Sequence, residues 1–296
     1  MNKVVIIGTG FVGSTIAYAI SLRNQVNNVV LINRDIEPSI GEMLDINHGF
    51  ESINQSLITV GDYSMISDAE LIIISAGRNR KPGETRSQLA VENALIMREI
   101  TEQIKQHYSK GKILVITNPV DVLTQLVDDL IGSPDIEVIG SGTLLDTSRL
   151  RYALSNEQAS NQNELLIGEH GDGIVPLTSS FDSNGRFITD LDHQARVMDV
   201  IRGLGAQIIS SKGKTHFGIA TCVSFFIDAL QAKESVLTAM SIPLRGQLGI
   251  SCALSVPVAI SQGGIELRLD LIQPLEVSAL QQIAIRLQKV LEEIRS

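Results

Sequence analysis

A histidine in a glycine-rich turn is the residue of this sequence best suited to exchange a proton near neutral pH. His170 lies in the segment I-G-E-H-G-D-G, residues 167–173, between two glycines and next to acidic residues. A carboxylate partner would hold the imidazole in one tautomer and raise its pKa. Asp146 is a candidate partner, although the sequence does not show that the two side chains meet. The pattern indicates acid–base chemistry at His170, and the alternative is a histidine with a purely structural role.

Two groups of arginines could bind an anion. Arg149 follows Asp146 by three residues, so the two occupy neighbouring positions on one helix face, where a simple surface ion pair is the common outcome. Residues 78–86, R-N-R-K-P-G-E-T-R, contain three Arg and one Lys in a chain of formal net charge −9. This concentration favours a loop that closes over an anionic substrate and excludes water, rather than a solvated basic loop.

A glycine-rich turn at the start of the chain predicts a dinucleotide site. The apolar run 4–7 is typical of a buried strand, and a G-x-G-x-x-G pattern and an apolar stretch at helical spacing follow it. In this context Gly8 permits the tight turn, Gly10 lets the backbone approach a pyrophosphate, and Gly13 lets the helix pack closely. The N–H groups of the helix start would face the anion. The predicted contacts here are Gly8, Gly10, Phe11, Val12 and Gly13.

Apolar runs alternate with amphipathic stretches through the first half of the chain, at 29–32, 71–74, 113–116 and 138–139. This alternation predicts α/β structure with a doubly wound parallel sheet, whose ligands bind at the carboxyl ends of the strands. We expect a Rossmann domain over residues 1–140 and an α+β catalytic domain over 141–296. The further residues at strand ends that are predicted to contact a dinucleotide are Asn33, Arg34, Ser75, Ala76, Gly77 and Asn118.

The end of the second predicted strand bears on the choice of cofactor. About 20 residues beyond the glycine turn, an NAD site usually has an acidic residue on the ribose 2′-hydroxyl. This chain has Asn33, followed by Arg34. Asn33 does not repel a 2′-phosphate and Arg34 could pair with one; alternatively, Arg34 is a solvated surface residue and Asn33 still binds the ribose. We therefore expect NAD, with NADP as the alternative.

Composition excludes several classes of partner. The net charge of −9 gives no basic field for nucleic acid or an anionic membrane surface. No apolar run is long enough to span a bilayer, and the chain begins directly in a predicted strand without a signal peptide. The two cysteines, Cys222 and Cys252, are widely separated and show no metal-ligand spacing. We expect a cytoplasmic protein with no metal, nucleic-acid or membrane partner.

Eight segments, spread over nearly the whole chain, match known motifs in order. They are G-T-G-F-V-G-S, L-D-I-N-H-G, S-A-G, R-K-P-G-E-T-R, T-N-P-V-D-V-L, G-S-G-T-L-L-D-T-S-R-L-R, G-E-H-G-D and K-G-K-T-H-F-G-I-A. In these segments the chain resembles the L-lactate/malate dehydrogenase family. The resemblance implies reversible hydride transfer between a nicotinamide dinucleotide and a small L-2-hydroxy acid, in a homodimer or homotetramer.

The resemblance also implies roles for individual residues. His170 would protonate the ketone oxygen of the 2-oxo acid, and Asp146 would orient and stabilise the imidazole. Arg149 would bind the substrate carboxylate with two parallel hydrogen bonds, as a guanidinium can. Three further residues complete the implied site: Arg86, which would polarise the carbonyl, Asn118, near nicotinamide and substrate, and Thr215, in the substrate pocket.

Substrate choice in this family depends on the residue six positions before Arg86, which is Arg80 here. Lactate dehydrogenases typically have Gln at this position, whereas malate dehydrogenases have Arg, which pairs with the second carboxylate of oxaloacetate. A buried guanidinium without a partner would cost on the order of several kcal/mol, so Arg80 favours malate over lactate. The segment 140–147 is more similar to lactate enzymes, which keeps L-lactate dehydrogenase as an alternative. A third interpretation is a non-catalytic NAD(H) sensor. The candidate proton donor argues against it, because a sensor needs none.

Two departures from the family concern regulation and assembly. Bacterial lactate dehydrogenases that respond to fructose 1,6-bisphosphate pair an Arg with a His between subunits; Arg151 matches the Arg, but Asn163 replaces the His. We therefore expect weak or absent activation by this effector. The segment 182–213 is shorter than usual in the family. Its sequence predicts a hairpin around Asn184 and Gly185 and a helix from about Asp192.

Overall fold

The computed structural model describes residues 1–51, 56–79, 86–156 and 162–295, with the backbone alone at 86, 87 and 156. Arg80 and the side chain of Arg86, two of the predicted substrate residues, lie outside this description. In the described residues, eleven strands form a single sheet.

Six parallel strands form the first part of the sheet. They are β1 (Lys3–Ile7), β2 (Asn28–Ile32), β3 (Leu57–Val60), β4 (Leu71–Ile74), β5 (Gly111–Val115) and β6 (Ile136–Gly140). Their spatial order is β3-β2-β1-β4-β5-β6, with Ile7 in register with both Ile32 and Ile74. The residues of β1 and β4 are almost all buried, which explains why their sequences are apolar runs without alternation. This order is that of dinucleotide-binding sheets, and the expected doubly wound fold is confirmed.

Helices connect these parallel strands. They are α1 (Phe11–Leu22), α2 (Ile36–Phe50), α3 (Arg86–His107) and α4 (Val120–Ile131). α3 packs against α4, and α1 packs against a helix of the second half, α8 (Phe217–Gln231). α4 ends at Gly132, whose φ of 60° allows the left-handed C-terminal cap.

The second half adds antiparallel strands and further helices. Besides α8 they are α5 (Leu144–Asn156), β7 (Leu166–Gly168), β8 (Ile174–Pro176), α6 (Arg186–Thr189), α7 (Leu191–Lys212), β9 (Val236–Pro243), β10 (Ala253–Ser261), β11 (Gly264–Leu267) and α9 (Pro274–Arg295). β9 pairs antiparallel with β10 along its length and with β6 at Ser241 and Gly140. The sheet therefore continues from the parallel half into the antiparallel half without a break.

The hairpin predicted around Asn184 and Gly185 is wrong. The side chain of Asp182 accepts the N–H of Asn184 at 3.0 Å, and the carbonyl of Asp182 accepts the N–H of Gly185 at 2.9 Å. This turn leads into α6, and Phe181 and Phe187 stack with ring centroids 4.7 Å apart. The local bond of the Asp182 side chain and the aromatic stack favour a turn and a short helix over two paired strands. The helix predicted from about Asp192 is observed as α7.

Among the described residues, no helix combines the length and the apolar character needed to cross a membrane.

Candidate active site

Asp146 lies in the first turn of α5, which is anchored at its start to the sheet. The N–H of Thr143 donates to Ser255 Oγ at 2.9 Å, and Thr143 Oγ1 donates to the carbonyl of Leu166 at 2.5 Å. Gly142 has φ +47°, and a Cβ there would lie 2.1 Å from Ser255 Oγ. Any other residue at 142 would therefore separate β10 from the start of α5. These contacts hold Asp146 at the carboxyl end of β6.

His170 lies in the tight turn between β7 and β8. The N–H of Glu169 donates to the carbonyl of Gly173 at 3.1 Å and closes the turn. Gly168 has φ +94°, and a Cβ there would lie 2.4 Å from the same carbonyl oxygen. The glycines on either side of His170 thus allow a turn that side chains would obstruct.

The structure brings together the three residues predicted to carry the chemistry. His170 Nδ1 lies 2.6 Å from Asp146 Oδ2, and Arg149 Nη1 donates to Asp146 Oδ1 at 3.2 Å. Asp146 is 1% exposed, whereas the side chain of His170 is 24% exposed. Because the carboxylate can only accept, Nδ1 carries a proton and Nε2 is the ring atom that can exchange one with a ligand.

The charges of this group shift its two titrating members in opposite directions. Burial alone would raise the pKa of Asp146, but the charge and hydrogen bond of His170, with Arg149 and the N–H of Gly171, lower it below its usual value. Burial alone would lower the pKa of His170, but the charge and hydrogen bond of Asp146 raise it. The pair therefore favours an ionised carboxylate beside a protonated imidazole.

A second buried carboxylate accepts a hydrogen bond from the main chain of His170. Asp121, in the first turn of α4, accepts the N–H of His170 at 2.9 Å and the hydroxyl of Ser241 at 2.6 Å. Burial raises the pKa of Asp121 to about 6, against the effect of these two donors. Neither Asp121 nor Ser241 was predicted from the sequence as a site residue. The available signal was an acidic residue within the apolar segment V-D-V-L, three residues after Asn118.

The glycine turn between β1 and α1 has the geometry expected for a dinucleotide site. Gly8 has φ +98°, and a Cβ there would lie 2.4 Å from the N of Ala76. A Cβ on Gly13 would lie 1.9 Å from the carbonyl oxygen of Gly8, whereas a Cβ on Gly10 would meet no atom within 4 Å. Gly10 caps α1 without a side-chain hydrogen bond. The space beside Gly10 and the free N–H groups of the helix start therefore fit an anionic group.

The neighbouring strand ends complete the edge of this site. Ser75 Oγ donates to the carbonyl of Gly8 at 2.8 Å, and Thr117 Oγ1 donates to the carbonyl of Ala76 at 2.7 Å. Gly77 allows close packing, because a Cβ there would lie 2.3 Å from Thr117 Cγ2. The carbonyl of Asn118 accepts the Asn93 side chain at 2.7 Å. Asn118 itself is exposed at the carboxyl end of β5.

The remaining predicted residues lie around this edge. Asn33 is half-buried and Arg34 is exposed, directly after β2. Phe11 is exposed at the start of α1, and Val12 beside it is half-buried. Thr215 is half-buried in the short connection between α7 and α8.

Residues 2–140 match the family model described as the NAD binding domain of lactate/malate dehydrogenase, and residues 143–296 match that of its alpha/beta C-terminal domain. The chain belongs to the lactate/malate dehydrogenase family. The family expected from the motifs is thus confirmed, and with it the class of nicotinamide-dependent dehydrogenases of 2-hydroxy acids.

Individual members of the lactate/malate dehydrogenase family cover almost the whole chain. An L-lactate dehydrogenase of Acetivibrio thermocellus is 36% identical over 281 residues, which are 90% of this chain and 88% of that protein. The minor L-lactate dehydrogenase of Enterococcus mundtii has a TM-score of 0.89 at 32% identity, over 99% of this chain and 98% of that one. The malate dehydrogenase of Archaeoglobus fulgidus, in complex with NADH, has a TM-score of 0.89 at 33% identity, over 99% of this chain and 100% of that one.

Proposed function

We propose that this chain catalyses reversible hydride transfer between NAD and an L-2-hydroxy acid, with His170 as the acid–base group. The observation that carries the proposal is the arrangement of His170, Asp146 and Arg149. One buried carboxylate bridges a protonatable imidazole and a guanidinium through its two oxygens. A proton donor and an anion-binding group are thereby held side by side, as the reduction of a 2-oxo acid requires.

In this mechanism Arg149 binds the substrate carboxylate, and His170 Nε2 donates a proton to the ketone oxygen. The chemistry that NAD would supply when bound is hydride donation in one direction and hydride acceptance in the other. Reduction therefore consumes one hydride and one proton, and leaves the imidazole neutral and still bonded to Asp146. In the direction of oxidation the neutral Nε2 accepts the hydroxyl proton. Arg86 polarises the carbonyl, Asn118 orients nicotinamide and substrate, and Thr215 lines the pocket.

The cofactor proposed is NAD, bound along the strand ends of the domain at 1–140. The shape of the glycine turn and the match to an NAD binding domain support this choice. NADP stays an alternative because no carboxylate occupies the position of Asn33, and Arg34 is exposed beside it. The pyrophosphate would lie at Gly10, where there is space next to the start of α1.

Arg80 favours malate and oxaloacetate as the substrate pair. Its guanidinium would pair with the second carboxylate of a dicarboxylic acid, whereas pyruvate has only a methyl group there. Lactate and pyruvate are the second candidate, because relatives 34–37% identical to this chain are named L-lactate dehydrogenase. In either case the catalytic domain proposed at 141–296 supplies His170 and Arg149.

Assembly and regulation are proposed from the family. We expect a cytoplasmic homodimer or homotetramer with weak or absent response to fructose 1,6-bisphosphate. Arg151 Nε already donates to the carbonyl of Glu164 at 3.0 Å, and Asn163 offers no second cationic group for a bisphosphate.

The test is the loss of absorbance at 340 nm with oxaloacetate or pyruvate, each with NADH or NADPH. We expect oxaloacetate with NADH to be turned over fastest. Faster turnover of pyruvate would favour lactate dehydrogenase, and faster use of NADPH would assign Arg34 to the 2′-phosphate. Binding of NADH without turnover of either acid would favour the sensor.

Arg80→Gln tests the specificity argument directly. Loss of the guanidinium removes the partner of the second carboxylate. It also removes the cost of leaving a guanidinium unpaired beside the methyl group of pyruvate. We expect kcat/KM for oxaloacetate to fall and that for pyruvate to rise. Unchanged values for both acids would contradict a role for Arg80 in selection.

A further inference from the structure

Asp121 is a buried carboxylate that links three parts of the molecule. It lies in the first turn of α4 and is 3% exposed. Its Oδ2 accepts the main-chain N–H of His170, and its Oδ1 accepts the hydroxyl of Ser241 on β9. The carboxylate therefore joins α4 and β9 to the turn that carries the imidazole.

Asp121 also connects the two sides of the proposed reaction centre. Asn118, three residues earlier, is exposed at the end of β5, on the side assigned to the cofactor. His170 carries the proton for the substrate. One short segment thus presents Asn118 and holds the main chain of His170, so the distance between the two is set by the bond from His170 to Asp121.

The charge of Asp121 acts on the imidazole together with its neighbours. The charged groups that influence His170 are Asp146 and Asp121, which favour its protonated form, and Arg149, which opposes it. The charge of Glu169 repels that of Asp121. The charge of Asp121 in turn acts on the thiol of Cys252, the residue directly before β10. Asp121 is thus the second anionic group that stabilises the imidazolium.

A neutral amide could make both hydrogen bonds of Asp121. In an Asn side chain the oxygen would accept the N–H of His170, and the NH₂ group would donate to Ser241 Oγ. Packing and hydrogen bonding therefore do not require a negative charge at this position, although burial makes the charge unfavourable. A reason for the charge is found in its effect on His170.

We propose that Asp121 is a positioning residue for His170, which fixes the main chain of the turn and stabilises the protonated imidazole by its charge. This inference rests on the proposed function, because the imidazole is the group that exchanges the proton. It assigns to α4 a role in the acid–base step besides its role in presenting Asn118.

The experiment compares the full-length protein with Asp121→Asn. We expect the variant to keep its fold and its dissociation constant for NADH, because both hydrogen bonds can form. We expect the pKa seen in its pH profile to fall by about half a unit or more, as for loss of a nearby charge, and kcat/KM for reduction above that pKa to fall at least about threefold. Asp172→Asn, an exposed acid in the same turn, is the matched control and should leave both unchanged.

A readout that needs no turnover separates this inference from the proposed function. The titration of His170 is followed by NMR, with the signal assigned by its loss in His170→Gln. A lower pKa in Asp121→Asn supports the inference, and an unshifted pKa overturns it even if activity falls. Absence of turnover in the wild type would instead contradict the proposed function.

Ser241→Ala keeps the test decisive if Asp121→Asn does not fold. Loss of the hydroxyl removes one donor to Asp121 and so raises the population of its neutral form. The pKa of His170 should again fall, by less than in Asp121→Asn. An unshifted titration in a folded Ser241→Ala variant would overturn the inference.

Discussion

Asp146 divides its two oxygens between two different partners. Oδ2 bonds to His170 and Oδ1 to Arg149, so one buried negative charge lies between two cationic groups. When the imidazole is protonated, the three side chains together carry one net positive charge. That excess favours an anionic substrate and is neutralised by its carboxylate.

At the scale of the residue, Asp146→Asn should remove the charge that raises the pKa of His170. In the proposed mechanism reduction needs the protonated imidazole, so kcat/KM for the 2-oxo acid should fall as pH rises through this raised pKa, and oxidation should improve over the same interval. In Asp146→Asn both transitions should move to lower pH, and reduction at neutral pH should fall about 10²- to 10⁴-fold. Steady-state rates in both directions measure this. A profile identical to that of the wild type would exclude the proposed pairing.

At the scale of the element, α7 carries two glycines with different surroundings. A Cβ on Gly205 would lie 3.6 Å from Arg149 Nη2, whereas a Cβ on Gly203 would meet no atom within 4 Å. Gly in a helix interior costs up to about 1 kcal/mol relative to Ala. The glycine at 205 therefore leaves space next to the guanidinium proposed to bind substrate.

Gly205→Ala and Gly203→Ala should both raise the melting temperature, because each adds helix propensity. Only Gly205→Ala should raise KM for the 2-oxo acid, since its methyl group would occupy the space beside Arg149. Thermal melts and steady-state kinetics on the pair give the comparison. Equal KM values in the two variants would mean that substrate does not use this space.

A polar cluster joins the segment directly after α1 to α8 and hence the two halves. The hydroxyl of Ser224 donates to Gln25 Oε1 at 2.8 Å and accepts Arg23 Nη1 at 2.9 Å, and Gln25 Nε2 donates to the carbonyl of Ser224 at 2.8 Å. Ser224 and Gln25 are both buried, so loss of one partner leaves the other unsatisfied.

Ser224→Ala should lower the free energy of unfolding by about 1–3 kcal/mol, the cost of an unpaired buried polar group. Urea titration measures the change through the midpoint. Ser210→Ala, on the exposed face of α7, is the control and should change stability by less than about 0.5 kcal/mol. A midpoint of Ser224→Ala equal to that of the control would show that the cluster contributes little.

At the scale of the whole molecule, Asp121 makes stability depend on pH. Its pKa rises from 3.8 to about 6 on folding, so its contribution to stability is full below pH 3.8 and is lost as pH rises through about 6. Asp121→Asn has no such loss. The free energy of unfolding of Asp121→Asn, taken relative to that of the wild type, should therefore increase by about 1 kcal/mol between pH 5 and pH 8. Urea titrations at the two pH values test this, and a constant difference would contradict the raised pKa.

Short sequence motifs indicated the candidate site residues better than the residues that position them. His170 and Asp146 were candidates because a histidine between glycines and an acid at the start of a helix are local patterns, but their contact is visible only in the structure. The bond from Asp121 to the N–H of His170 joins residues 49 positions apart, and main-chain partners leave no trace in residue type. The parallel strands were predictable from apolar runs. The turn at Asn184 was not, because Asn-Gly suits a hairpin and the bond to Asp182 decides otherwise.

The pairing of Gly140 with Ser241 joins the strands of both halves into one continuous ladder. Among the described residues, backbone pairing therefore crosses from one half to the other, and a large rotation of one half against the other would break backbone hydrogen bonds. We therefore expect changes on binding to be confined to single loops and helices. The radius of gyration in solution scattering should accordingly stay the same when NADH is added, while amide exchange slows locally at the start of α1 and in the turn of His170.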